Sequence, residues 1–177
     1  PATTEAPATT EAPATTEAPA TTEAPTTTTT VEPCVPAPNA SCSGADLAGA
    51  NLAGMIMPGI DLSGANLEGA LLNGAIMVGA DLSGSNLAGA TLSATNLAGA
   101  NLTGAKAPGA VFYRTKLTSV NMTRTDLTAA VLMEADLKSV NMTGALVAGL
   151  VDRRSFWCST IYVDGTLKND SCQITVD

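Results

Sequence analysis

The sequence predicts an all-β solenoid, a parallel β-helix built from square coils of twenty residues each. Three observations carry this. From Ala45 to Gly149 one five-residue unit recurs twenty-one times without insertion or deletion, most plainly across ADLSG, SNLAG, ATLSA, TNLAG and ANLTG at 80–104. Fifteen of the sixteen glycines, all but Gly165, occupy one register of that unit. Two further positions are consistently small or apolar, one mostly Ala (Ala45, Ala50, Ala65, Ala70) and one mostly Leu or Met two residues later (Leu47, Leu52, Met57, Leu62).

A period of five is neither the 3.6 of a helix nor the 2 of a simple strand, so the chain turns at a fixed interval. We number the unit from its Ala, so that Ala80 to Gly84 are positions one to five. Position five is the corner: the third residue of a type II turn needs positive φ, which glycine adopts cheaply, and Pro58-Gly59 and Pro108-Gly109 show the proline that such a turn favours just before it. Positions one and three lie two apart on an extended segment and point the same way, inward, while position two (Asp46, Asn51, Asp61, Asn66) points out. Right-angled corners close four units into one coil, and coils stack at about 4.8 Å. Leu47, Leu67, Leu87, Ala107 and Leu127 are then predicted to form one internal column, and Met57, Met77, Leu97, Leu117 and Leu137 another. Where the corner holds Arg114, Ser119, Arg124, Ala129, Glu134 or Ser139, positive φ is costly, so a type I corner is expected there and a change of geometry near Ala110. The register is expected to stumble at Leu150-Val151-Asp152, where a carboxylate takes the Leu position.

The A-[DN]-L-x-x pattern resembles the pentapeptide-repeat family. The resemblance implies that family's fold, a right-handed quadrilateral parallel β-helix, here of about five coils over 45–151. It implies no activity, because members share a scaffold and differ in use. One activity known in the family, mimicry of duplex DNA that shields a topoisomerase, calls for a strongly acidic rod. Residues 45–150 carry seven acids against five bases (Lys106, Arg114, Lys116, Arg124, Lys138) and are nearly neutral, which disfavours nucleic-acid mimicry.

Composition fits an elongated scaffold. Apolar content is 45% with only 3% aromatic, so the interior is thin layers of Leu and Ala. The chain has no histidine, the commonest general base and metal ligand. Ser155, Ser159 and the cysteines have none to activate them, and the stacked Asp61 and Asp81 sit on a flat exposed face, so no catalytic, cofactor or metal site is expected, and no enzyme.

Residues 1–33 contain only Pro, Ala, Thr, Glu and one Val, with PATTEA repeated four times, and cannot build a core. Regular proline favours polyproline II at about 3.1 Å per residue, so this arm is expected to extend on the order of 100 Å. Thirteen threonines among prolines make it resemble a mucin-like O-glycosylated stalk; the candidates are Thr3, Thr4, Thr9, Thr10, Thr15, Thr16, Thr21, Thr22, Thr26, Thr27, Thr28, Thr29 and Thr30.

The four cysteines lie outside the repeats. Five stacked coils separate Cys34 and Cys42 from Cys158 and Cys172 by roughly 25 Å, beyond the reach of a disulfide, so pairing is expected within each local pair. Paired disulfides and a Thr/Pro arm point to an extracellular or cell-surface setting. Solenoid ends need caps. The loop 34–44 is read as one, and 152–177 as the other: a hairpin around a two-residue Asp164-Gly165 turn, with Phe156 and Trp157 covering the last Leu layer.

At a spacing of twenty, outward columns can be read off. One holds Asp61, Asp81, Asn101, Asn121 and Asn141 flanked by Ser and Thr, where three Asn-x-Thr sequons would crowd any glycans about 5 Å apart; Asn39 and Asn169, in the end loops, are the candidate N-glycosylation sites. A second holds Asn51, Leu71, Thr91, Val111, Val131 and Val151 beside Tyr113 and Met133, a third Ile56 and Ile76 beside Pro58 and Val78. Apolar residues facing out of a polar repeat mark a contact face, with Val111, Tyr113, Val131 and Met133 its candidate members. Together these features predict an extracellular structural glycoprotein, a rod on a stalk that self-assembles into a homo-oligomer or fibril without inserting in a membrane. The alternative is a stalked adhesin or ligand-binding module.

Overall fold

A computed structural model describes residues 34–169 and Cys172; the Thr-rich arm and its candidate glycosylation sites lie outside them. The described chain is a stack of four-cornered coils. Parallel bridges join residues twenty apart on every side: Asp61 to Asp81 to Asn101, Asp46 to Asn66 to Asn86, Asn51 to Leu71 to Thr91, and Ile56 to Ile76 to Asn96. We call these sides faces one to four in that order.

The stacking bonds explain the five-residue motif. The position-three N–H donates to the position-two carbonyl of the following coil (Leu82 to Asn101, 2.7 Å), and position five to position four (Gly84 to Thr103, 2.9 Å). The position-two N–H donates back to the preceding coil (Asp81 to Ile60, 2.9 Å), and position one closes the corner onto position three (Ala80 to Met77, 3.1 Å). The remaining N–H, at position four, is met by a side chain: Ser63 and Ser83 donate to Oδ1 of Asp61 and Asp81 at 2.9 Å. An Asp or Asn at position two thus supplies the one acceptor the backbone lacks. At Ile56 and Lys106, which lack that oxygen, position four is Pro58 or Pro108, which has no N–H to serve.

Both predicted columns are present. Leu67, Leu87, Ala107 and Leu127, and Met57, Met77, Leu97, Leu117 and Leu137, are all fully buried; Leu47, in the first coil, is partly so. Each buried Leu contributes about 1.5–3 kcal/mol. Position one also admits hydroxyls: Thr95, Thr115 and Thr125 are fully buried and donate to the carbonyls of Leu72, Leu92 and Leu102 in the coil before, at 2.7, 2.7 and 2.8 Å.

The corners correct the expectation. Arg114, Ser119, Arg124, Ala129, Glu134 and Ser139 have φ of 54° to 59°, close to the 63° to 70° of the repeat glycines. There is no change of geometry near Ala110. Each corner N–H must reach the coil above (Arg114 to Met133, 2.9 Å) and each position-one N–H must return to position three (Val120 to Leu117, 3.0 Å), so stacked neighbours impose one corner on every residue type.

The ends also differ from expectation. Pairing runs past Asp152 without a stumble: β1 (Val131–Met133) pairs in parallel with β2 (Val151–Arg153), and Asp136 and Asn141 bridge Phe156 and Ile161. It also begins before Ala45, with Ser41 bridging Asp61. Backbone atoms do the stacking, so a carboxylate is tolerated in the last coil, where Asp152 is exposed and accepts the Trp157 indole N–H at 2.6 Å. Trp157 is buried, whereas Phe156 is 59% exposed, because position two points outward and position three inward. The hairpin joins β3 (Thr160–Ile161) to β4 (Leu167–Lys168), antiparallel. Its loop is longer than the two residues expected, since Tyr162 N–H bonds the Thr166 carbonyl at 2.7 Å around Val163, Asp164 and Gly165. Lys168 Nζ lies 4.7 Å and 4.0 Å from the ring centres of Trp157 and Tyr162, closing the cap. Both local disulfides are present, Cys34–Cys42 and Cys158–Cys172.

Relieving a corner tests the strain. Ala129→Gly, at φ 54°, is expected to stabilise the protein by about 0.5–1 kcal/mol in urea denaturation, because relief of a left-handed Cβ, roughly 1–2 kcal/mol, outweighs the about 0.4–1 kcal/mol of unfolded-chain entropy that glycine adds. A neutral or destabilising result would show the corner to be unstrained.

Candidate interaction faces

Face one is a polar ladder. Asp61, Asp81, Asn101, Asn121 and Asn141 bridge in sequence, and Asn101 Nδ2 donates to Asp81 Oδ1 at 3.1 Å. In the sequons, the Asn oxygen accepts twice from its own threonine. Thr103, Thr123 and Thr143 donate both N–H and Oγ1 to Asn101, Asn121 and Asn141, the hydroxyls at 2.6, 2.5 and 2.7 Å. Face two is similar: Thr128 Oγ1 donates to Asp126 Oδ1 at 2.6 Å, and Asn66 Nδ2 to Asp46 Oδ1 at 2.9 Å.

These bonds favour the ionised carboxylates. The Ser63 hydrogen bonds hold Asp61 below the ordinary carboxylate pKa, and those of Thr128 do the same for Asp126. Asp164, in the hairpin loop, is lowered in the same way by Thr166.

Face three has a different character. Val111 bridges Val131, which pairs with Val151, and Tyr113 and Met133 stand beside them at position four. The four expected contact residues are thus adjacent on two neighbouring coils, each partly buried. Valine cannot accept from position four, and among the described residues nothing accepts the Tyr113 N–H. The bond that Asx provides on faces one and two is given up here. At the adjoining corner Arg114 Nε donates to Glu134 Oε2 at 2.7 Å, and the guanidinium lies 5.1 Å from the Tyr113 ring centre. The Glu134 hydrogen bond and charge raise the Arg114 pKa.

The last coil carries a feature that reading single columns did not bring out. Its outward position two is apolar on every face: Leu146, Val151, Phe156 and Ile161 are 59%, 41%, 59% and 37% exposed. Four consecutive units lacking Asx at that position were the signal. Asn39 and Asn169 are both exposed, Asn39 at a corner with φ 55° and Asn169 with its Oδ1 accepting the Ser159 N–H at 2.9 Å.

The model of the family described as "Pentapeptide repeats" matches residues 40–77, 60–98, 75–112, 95–132 and 110–146. Among solved structures the chain is similar to a trypsin-treated form of QnrB1, a plasmid-mediated fluoroquinolone resistance protein, at 20% identity over 71% of each chain with a TM-score of 0.51. HetL, a pentapeptide repeat protein involved in heterocyst differentiation regulation from the cyanobacterium Nostoc sp. strain PCC 7120, matches at 24% identity over 72% of this chain and 78% of its own, TM-score 0.29. Another pentapeptide repeat protein of Nostoc matches at 30% identity over 64% of this chain and 84% of its own, TM-score 0.36. No curated protein matches the chain.

The lowered carboxylates set an acid limit. A group whose folded pKa lies below its unfolded value stabilises the fold above the unfolded pKa, and that contribution disappears as pH falls through the folded value. Stability is therefore expected to fall below about pH 4. Asp61→Asn/Asp126→Asn keeps an oxygen acceptor at both places, as Asn101 already does, and is expected to flatten the acid limb of a urea-midpoint titration. An unchanged limb would place the acid sensitivity elsewhere.

Proposed function

The chain belongs to the pentapeptide-repeat family, and from that membership we propose that it is an extracellular structural glycoprotein, a rod-and-stalk subunit of a surface layer or fibril that assembles through its β-helix. The observation that carries this reading is face three, where Val111, Val131, Tyr113 and Met133 set partly exposed apolar side chains where faces one and two carry Asx hydrogen bonds. The helix is taken as right-handed, after its family. Disulfides at both ends of the rod suit an oxidising compartment. The Thr/Pro-rich arm would carry O-glycans that hold it extended and sheathe whatever the rods build. In the same reading Asn39 and Asn169, exposed in the end loops, accept N-glycans.

A stalked adhesin uses the same parts with a foreign ligand on face three. Shielding of a topoisomerase fits less well, because Lys106, Arg114, Lys116, Arg124 and Lys138 interrupt the acidic surface such mimicry needs.

Intact-mass measurement and electron microscopy of native material test the proposal. Hexose-spaced mass additions on the arm and regular rods in sheets or fibrils are expected. A cytosolic, unmodified monomer, or tight binding to a topoisomerase, would overturn it.

A further inference from the structure

Face three and its adjoining corner are self-complementary about one particular axis, and we propose that two copies of this chain associate antiparallel across it. This rests on the assembly reading above and adds the surface, the register and the symmetry.

The axis lies in the plane of the interface, perpendicular to the rod, midway between the levels of Val111 and Val131. A two-fold there exchanges the two levels and preserves position across the face. Val111 meets the second copy's Val131, Tyr113 meets its Met133, and Arg114 stands opposite its Glu134. Within each chain Arg114 and Glu134 are already paired at 2.7 Å, with the arginine side chain 63% exposed and free to bridge outward. Two such pairs brought together antiparallel make a ring of four alternating charges. At the other edge of the face the corner residues are Gly109 and Ala129, small enough to admit a close approach.

Other registers are penalised. A two-fold parallel to the rod reverses position across the face and sets Arg114 against Gly109 and Glu134 against Ala129, so neither charge meets a partner. An antiparallel pair centred on the Glu134 level sets Arg114 against Arg154. The first leaves both charges unmatched and the second opposes like charges, so the same residues favour one register over these two. Association through this face alone closes at two copies, as isologous interfaces do, so a layer or fibril would need a further contact such as the coil ends.

The contact is small. About this axis only the four levels from Thr91 to Val151 overlap, about 19 Å of strand spacing by a strand about 12 Å wide, so the total burial is on the order of 450 Å², the size of a weak, transient contact.

Sedimentation velocity on the full chain, from about 10 μM to 1 mM and so across the range of weak dissociation constants, tests the inference. The mass is expected to rise with concentration and stop at two protomers. Arg114→Glu and Glu134→Arg, each folded by circular dichroism, are each expected to weaken association at least about tenfold, the scale of a reversed close charge pair. A one-to-one mixture of the two is expected to regain it, because each variant's altered residue then faces an opposite charge while its own internal pair stays broken. That rescue separates contact between copies from support of the corner within one chain. Val131→Asp is expected to abolish association. A monomer at every concentration would overturn the inference, as would association indifferent to both charge variants or a mixture no better than either variant alone. Indifferent association would leave the rod-assembly reading standing, whereas an unglycosylated cytosolic chain would be that reading's own failure.

Discussion

The fold depends on one constraint: the backbone N–H groups of a five-residue unit must be met, by the stacked coils, by a side chain or by solvent, while the chain turns a corner. Three donors reach neighbouring coils and one closes the turn, which leaves one for a side chain. That single deficit places Asp or Asn at position two and explains why Pro58 and Pro108 accompany units that lack them. It also frees the outward positions for other uses wherever the hydrogen bond can be given up.

Much of this was legible because it is periodic. The coil length, the inward columns and the local disulfides follow from spacing alone, as Leu67, Leu87 and Leu127 show by lying buried one above another. The corners at Arg114 and Glu134 were not legible, because intrinsic preference argues against positive φ and only the stacked coils above and below overrule it. The Trp157–Asp152 bond and the loop around Gly165 are end effects, where the repeat no longer speaks for its neighbours. The buried threonines were hidden for another reason: a hydroxyl at an Ala position looks like a polar intrusion until the Leu72, Leu92 and Leu102 carbonyls are seen to receive it. The proposed contact face was read as four residues, without Arg114 and Glu134, which were read as corners rather than as part of a surface.

Charge is distributed along the chain with a direction. All eight lysines and arginines lie at or beyond Lys106, and the residues before it contain acids only. A rod so arranged carries an axial electrical asymmetry, acidic toward its first coils. Side-by-side antiparallel contact sets two such asymmetries in opposition, which is the electrostatically favoured relation for neighbouring rods and acts in the same sense as the local pairs at the corner.

The separation between a period of five for the fold and twenty for the surface has an evolutionary consequence. Loss of one unit leaves every backbone bond replaceable, because any unit can stack on any other, yet it turns all later units a quarter of the way around the rod. Deleting 121–125 would carry Val131 onto the face of Lys106 and set Asp136 over Val111. Folding would hardly register the change, while any surface read across several coils would be scrambled. Selection acting on the fold alone would tolerate gains and losses of single units. A preserved face therefore demands that length vary only by whole coils of four units.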